Sequence, residues 1–374
     1  MTTLKSFLES EYKLKTNPFM SRVDLQAPMA GRLDVKDRWT AIIERRKGAT
    51  SNSLNFIVGD YGLGKSFTLY KIVDQIKADR NVLPLYMKFL PEDPISRFGL
   101  DFVQRIFVNL PPALFRRKIA ESTINKLKKL DIPVAVVLDK FFQQDDLAQA
   151  YLKGERTLTA NELKELGARR KFDRTSVAED YLIGLLYILY TLKIVTIILA
   201  IDEVEYVFSQ LQGARIATVF NTLRDFYDLP QSPKAIGFEE RIANIIFFFG
   251  ISQAGWRRLN ELERREQRVG GPIQALLDRR ADIIELSALD EAETKQLIEL
   301  RLSYNRTTRT NAQRLLIPYT DDFVSYVFQM TQGNPRHIVE RCDLVLEDGL
   351  REQVPLLNEA FARKVLASHG LPSE

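Results

Sequence analysis

Gly59-Asp60-Tyr61-Gly62-Leu63-Gly64-Lys65-Ser66 lies between an apolar run, Leu54 to Val58, and an amphipathic stretch, Phe67 to Ala78. A glycine-rich loop that joins a strand to a helix directs backbone N–H groups and a helix N-terminus at one point, which favours anionic oxygens there. The spacing GxxxxGK[ST] adds a lysine for the outer phosphates of a nucleoside triphosphate and a hydroxyl for its divalent cation. Gly59 through Phe67 therefore read as a phosphate-binding loop (Walker A), with Lys65 on the phosphates and Ser66 as a magnesium ligand. The preceding strand and the following helix are the setting this motif requires.

Hydrolysis needs a second element, and Ile194-Val-Thr-Ile-Ile-Leu-Ala-Ile201 followed by Asp202-Glu203 has its form. The run is short, β-branched and apolar, as in a strand of a parallel sheet covered on both faces. Ligands of such sheets bind at the carboxyl ends of strands, where this acidic pair (Walker B) falls. Asp202 is expected in the magnesium shell, and Glu203 as the base that orients and deprotonates water. Tyr181 to Ile201 holds only Lys193 as a charge and imitates a membrane span in length. Ser176-Val-Ala-Glu179 resembles a helix-starting capping box, and the half beyond Lys193 is a strand by composition, so a buried helix feeding a central strand is expected instead.

The 374 residues are 45% hydrophobic and 27% charged, enough for two or three compact units of a soluble, cytoplasmic protein. Lys5, Glu9, Glu11, Lys13 and Lys15 leave no sustained apolar core for a signal peptide near the N-terminus. Cys342 is the only cysteine, and His337 and His369 the only histidines, which excludes an intramolecular disulfide and a Cys/His metal cluster. A net charge of +4 permits nucleic-acid contact without demanding it.

Further strands are expected at Val82–Leu90, Ile242–Ile251 and Ala281–Leu286. Helical spacing covers Val35–Arg46, Phe98–Asn109, Ala113–Leu130, Leu147–Leu166 and, by pattern, everything from Glu291 to His369. An arm and first helix (1–48), expected against the nucleotide-binding core, precede an α/β domain with a parallel sheet (49–288). A large helical insertion, about 91–175, interrupts that domain, and an all-helical domain (289–374) follows.

The phosphate loop, Ile201-Asp-Glu203, Phe249-Gly-Ile-Ser-Gln253 and Gly333-Asn-Pro-Arg336 occur in an order that resembles AAA+ P-loop ATPases. The upstream Gly31-Arg32 pair and the Gly-Asn-Pro-Arg turn resemble the origin-recognition type. Tyr151-Leu-Lys-Gly-Glu155 and Ile201-Asp-Glu-Val-Glu205 are similar to ATP-binding proteins of phage-defence islands, including BREX-type systems.

The resemblance implies ATP and Mg2+ as ligands, a C-terminal helical lid, and an ATP-dependent homo-oligomer. Gln253 becomes the polar sensor of the γ-phosphate or lytic water, with Ser252 beside it; asparagine or threonine is commoner there. Arg336 becomes the lid arginine that reports nucleotide state, while His337 is structural. Arg279 and Arg280, with Arg268 behind them, are candidates for an arginine donated to a neighbouring subunit's site. Arginines of Trp256–Arg268 stand among Glu261, Glu263 and Glu266, a pattern shared by charged faces and nucleic-acid contacts. The chain is expected to end before any winged helix of the origin-recognition kind. Action on or near DNA, in phage defence or a remodelling complex, is the first functional expectation. A STAND-type signalling switch with protein partners only, or a transposition or helicase-loading regulator, are the others.

Overall fold

The computed structural model describes residues 2–20, 27, 29–89, 97–204, 214–230, 238–265, 282–307 and 315–371. Five strands, β1 (Ser53–Val58), β2 (Val82–Lys88), β3 (Thr196–Asp202), β4 (Asn244–Ile251) and β5 (Asp282–Glu285), form one sheet in the order β2-β3-β4-β1-β5. β2 with β3, β3 with β4 and β4 with β1 run parallel. Every residue of β1, β3 and β4 is buried, which is why their sequences are nearly unbroken apolar runs.

Helices α1 (Thr2–Ser10) and α2 (Leu33–Arg46) precede β1, and α3 (Lys65–Ile76) follows it. Between β2 and β3 lie α4 (Phe98–Val108), α5 (Glu121–Leu127), α6 (Ile132–Phe142), α7 (Asp146–Lys153), α8 (Ala160–Leu166) and α9 (Thr175–Thr191). α10 (Ala214–Asp228) follows β3 and α11 (Gln253–Arg265) follows β4. After β5 come α12 (Glu291–Tyr304), α13 (Asp321–Thr331), α14 (Pro335–Glu352) and α15 (Glu359–Ser368).

The chain divides into two compact units, one of Arg38–Val58 and Ile72–Ile284, the other of Met1–Asp37, Gly59–Lys71 and Glu285–Glu374. The first holds the sheet and the insertion. Its core joins strand residues such as Phe247 and Phe249 to Phe102 of α4 and Phe226 of α10, whose rings stack 5.1 Å apart. α9 is buried on most of its surface and passes directly into β3, so the apolar stretch Tyr181–Ile201 is a core helix followed by a strand. No helix among the described residues is long and apolar enough to cross a membrane.

The insertion departs from its expected outline in four places. Ala113–Leu130 is a 3-10 turn, Pro112–Arg116, and then α5, because the chain is extended at Arg117 and Ala120. Leu147–Leu166 breaks after α7, where Gly154 caps the helix in the left-handed region at φ 69°. α6 is not among the expected helices; seven of its eleven residues are buried, so it lacks the polar face that marks a helix in sequence. α9 begins at Thr175 without a side-chain cap, and the capping boxes are instead Thr159 with Glu162 and Asp290 with Glu293.

The second unit has its own core. Leu8, Tyr12, Leu14 and Phe19 of the N-terminal arm join Leu302, Phe323, Ile338, Leu346 and Leu366 of the C-terminal helices. Tyr12 Oη donates to the Val354 carbonyl at 2.5 Å, and Arg301 donates to the Pro18 carbonyl at 3.0 Å. The arm thus completes the helical core, whereas the sequence suggests the nucleotide-binding core, because four short helices leave apolar surface that its aromatic residues cover.

Candidate functional site

In the second unit, Gly59 follows the last residue of β1 and Lys65 is the first residue of α3. Gly62 and Gly64 have φ of 85° and 90°, a region that side-chain-bearing residues rarely enter. A methyl group at Gly62 would stand 2.5 Å from Asn334 Oδ1, so close approach as well as conformation requires glycine. Lys65 Nζ donates to the carbonyls of Gly59 at 2.9 Å and Asp60 at 3.2 Å. The ammonium therefore lies along the loop, beside the start of α3.

Arg32 braces the loop from beneath. Its guanidinium donates to the carbonyls of Leu63 and Ser287, and the residue is 8% exposed. Burial lowers its pKa, against the opposing influence of Glu293 and Asp34. Glu293 Oε1 accepts from Arg32 N at 3.2 Å and Gln296 Oε1 from Gly31 N at 2.7 Å, which fixes the Gly-Arg pair on α12.

The turn that opens α14 meets the other side of the loop. Asn334 caps that helix by accepting from Arg336 N at 3.1 Å, and its Nδ2 donates to the Tyr61 carbonyl at 3.0 Å. Arg336 lies over the Tyr61 ring, 4.4 Å from its centroid, and donates to the tyrosine hydroxyl.

In the first unit, Asp202 ends β3 and is 2% exposed. Tyr86 Oη donates to its Oδ2 at 2.8 Å and Glu203 N to its Oδ1 at 3.0 Å. Burial, with Asp202 beside it, pushes the Tyr86 hydroxyl pKa well above its ordinary value. Glu203 has φ 60° and pairs with Lys88 Nζ at 3.1 Å. Left-handed backbone at a bulky residue is uncommon and turns the chain sharply after the strand. Gln253 is half-buried at the first turn of α11, where Ser252 caps by accepting from Gly255 N at 3.0 Å.

The sheet relates these positions. Ile201 pairs with Phe249 and Phe249 with Phe56, so the carboxyl ends of β3, β4 and β1 stand in a row. Asp202 and Glu203 leave β3 two strand spacings, about 10 Å, from the strand that ends at Val58. Gln253 leaves the strand between them. Arg268, Arg279 and Arg280 lie outside the described residues. Tyr86 and Lys88 carry no signature in the sequence, since each is defined by the partner it meets, whereas Asn334 belongs to the Gly-Asn-Pro-Arg turn.

No protein-family model matches the sequence, and no curated protein does. Solved structures do. The ORC2 protein of Aeropyrum pernix, solved as ADPNP and ADP complexes, is 16% identical with a TM-score of 0.51, over 95% of this chain and 72% of that one. The ORC1 protein of Aeropyrum pernix in complex with DNA is 11% identical with a TM-score of 0.49, over 96% and 70%. The RuvB Holliday junction branch migration motor of Thermotoga maritima is 12% identical with a TM-score of 0.45, over 92% and 72%. The likeness to ORC2 bears on the fold: an α/β core with a central parallel sheet and a C-terminal helical part.

Proposed function

We propose that this chain is a AAA+ ATPase that binds ATP with magnesium at Gly59–Phe67 and hydrolyses it, working at DNA as an oligomer. One observation carries the proposal: a lysine-bearing loop with two left-handed glycines leaves β1, and the same sheet ends β3 in Asp202 and Glu203.

The side chains suit the ligand. Lys65 supplies a cation that exchanges two loop carbonyls for phosphate oxygens. Ser66 and Asp202 would hold magnesium, which would offset charge on the phosphates. Among the described residues no three His, Cys, Asp or Glu come together as a metal site, in keeping with an ion that takes most of its oxygens from nucleotide and water. Tyr86 and the Glu203 N–H hold Asp202 in one orientation.

In hydrolysis a water oxygen bonds to the γ-phosphorus, the bond to the bridging oxygen breaks, and Glu203 takes the water's proton to leave ADP and phosphate. Gln253 offers an amide donor and acceptor to that water or to the γ-phosphate. Arg336 is the candidate that couples phosphate charge to the helical part, and Arg279 and Arg280 are candidates for an arginine given to the next subunit. The DNA-linked part draws on the origin-recognition resemblance of Gly31-Arg32 and the Gly-Asn-Pro-Arg turn, and a place in BREX-type phage defence draws on motif resemblance alone. ATP binding by the parent chain and by Lys65→Ala tests the core of the proposal. Binding lost in the variant supports it, and equal binding refutes it.

A further inference from the structure

A cavity of 190 Å³ opens on the insertion, between the start of α4, the end of α7 and the segment after α8. Its floor is rigid: Tyr151, Phe172 and Tyr181 meet edge-on or tilted at 5.2–5.6 Å, and Tyr151 Oη is tied to the Arg170 carbonyl at 2.7 Å. Tyr151, Leu158 and Phe172 are all buried, so the floor offers no ring face for a base to stack on. The rim is different. Arg97, Arg156 and Lys171 bring three cations from separate parts of the chain, Gln104 and Thr157 add neutral donors, and Asp173 is the one carboxylate of the lining, with Glu162 and Asp101 behind Arg156 and Arg97.

These cations differ in how firmly they are held. Arg156 is fixed by two bonds to Glu162 at 2.7 and 3.1 Å, which orients its fork on the rim. Arg97 approaches Asp101 at 3.9 Å. Lys171 is exposed, has no acidic partner among the described residues, and continues the run Arg169-Arg170 along the surface. Gly154, left-handed at φ 69°, admits the Gln104 amide, whose Nε2 would lie 2.4 Å from a methyl group there. Donors without a stacking surface, extended into a line of exposed cations, match a phosphodiester backbone better than a single base.

Building on the DNA-linked part of the proposed function, we infer that this groove is a duplex-DNA backbone site, separate from the nucleotide loop. It contributes affinity without reading sequence. The full chain is titrated into a fluorescein-labelled duplex of about three helical turns at several salt concentrations, with anisotropy as readout. Arg97→Ala/Lys171→Ala should weaken binding on the order of tenfold and lower the salt slope by about two, with ATP hydrolysis in the absence of DNA unchanged. Asp173→Asn should strengthen binding, a gain that a damaged fold cannot imitate.

A parent chain that binds no duplex would sink the DNA-linked reading and this site with it. A parent that binds, with both variants binding equally, would sink the groove alone. Equal binding of polyglutamate and duplex by the groove would overturn the nucleic-acid assignment in favour of an acidic protein.

Discussion

The Arg336 guanidinium stacks on the ring of Tyr61 and bonds its hydroxyl, so the arginine at the head of α14 rests on the crest of the glycine-rich loop. Tyr61 is 69% exposed, and this contact with the Asn334 bond to its carbonyl holds it in place. If Arg336 also serves nucleotide, phosphate must compete with the tyrosine for it. A cation–π contact at such a site is worth about 0.5–1 kcal/mol. Tyr61→Ala should therefore tighten ATP binding roughly two- to fivefold, and Tyr61→Phe less. In an Arg336→Ala background the effect of Tyr61→Ala should vanish, as a fluorescence titration of the four proteins would read.

Glu203 and Lys88 form a pair that depends on neighbouring strands. Lys88 ends β2 in register with Asp202 and reaches the Glu203 carboxylate. Glu203→Gln should keep ATP binding within about twofold and lower turnover by a hundredfold or more, since loss of a positioned base removes roughly 10²–10⁴ in rate. Lys88→Met should lower turnover several-fold with the ATP dissociation constant unchanged. Phosphate release and equilibrium binding together separate the two effects.

Arg32 supports the loop through two backbone carbonyls and is nearly covered. Arg32→Met leaves those acceptors without a donor, at about 1–3 kcal/mol each when water cannot reach them. The variant should lose on the order of 2 kcal/mol in urea unfolding and bind ATP more weakly, whereas a change at exposed Arg169 should do neither.

Glu179 in α9 lies near Asp225 and Asp180, and burial, with those carboxylates adding to it, pushes its pKa up to about 7. An unfolded glutamate ionises near its ordinary value of 4.5. As pH rises from there to about 7, the unfolded chain releases this proton first and stability falls; above that range the penalty is complete. Glu179→Gln should stabilise the protein by on the order of 1 kcal/mol at about pH 8 and change little near pH 4.5. Thermal melts at both values test it.

Much of this was legible in the sequence. The five strands fall within about two residues of their apolar runs on most ends, because strands covered on both faces have little other composition available. Asp202 and Lys65 sit at element ends, where the apolar run of β3 and the glycine-rich loop respectively stop. Helix α6 was not legible, since its polar face is too narrow, whereas the break after α7 follows the left-handed cap that Gly154 supplies. Lys88 with Glu203 and Tyr61 with Arg336 are 115 and 275 residues apart. No periodicity links such pairs; only the strand order and the packing of α14 on the glycine-rich loop bring them together.

The central claim is that Lys65 and Asp202 serve one triphosphate and its metal, and calorimetric titration of ATP with magnesium or with EDTA tests it most directly. The parent should bind ATP more tightly with magnesium, about tenfold or more. Asp202→Asn should lose that advantage while keeping the EDTA affinity, and Lys65→Ala should lose both. An Asp202→Asn chain with the full magnesium advantage would contradict the account.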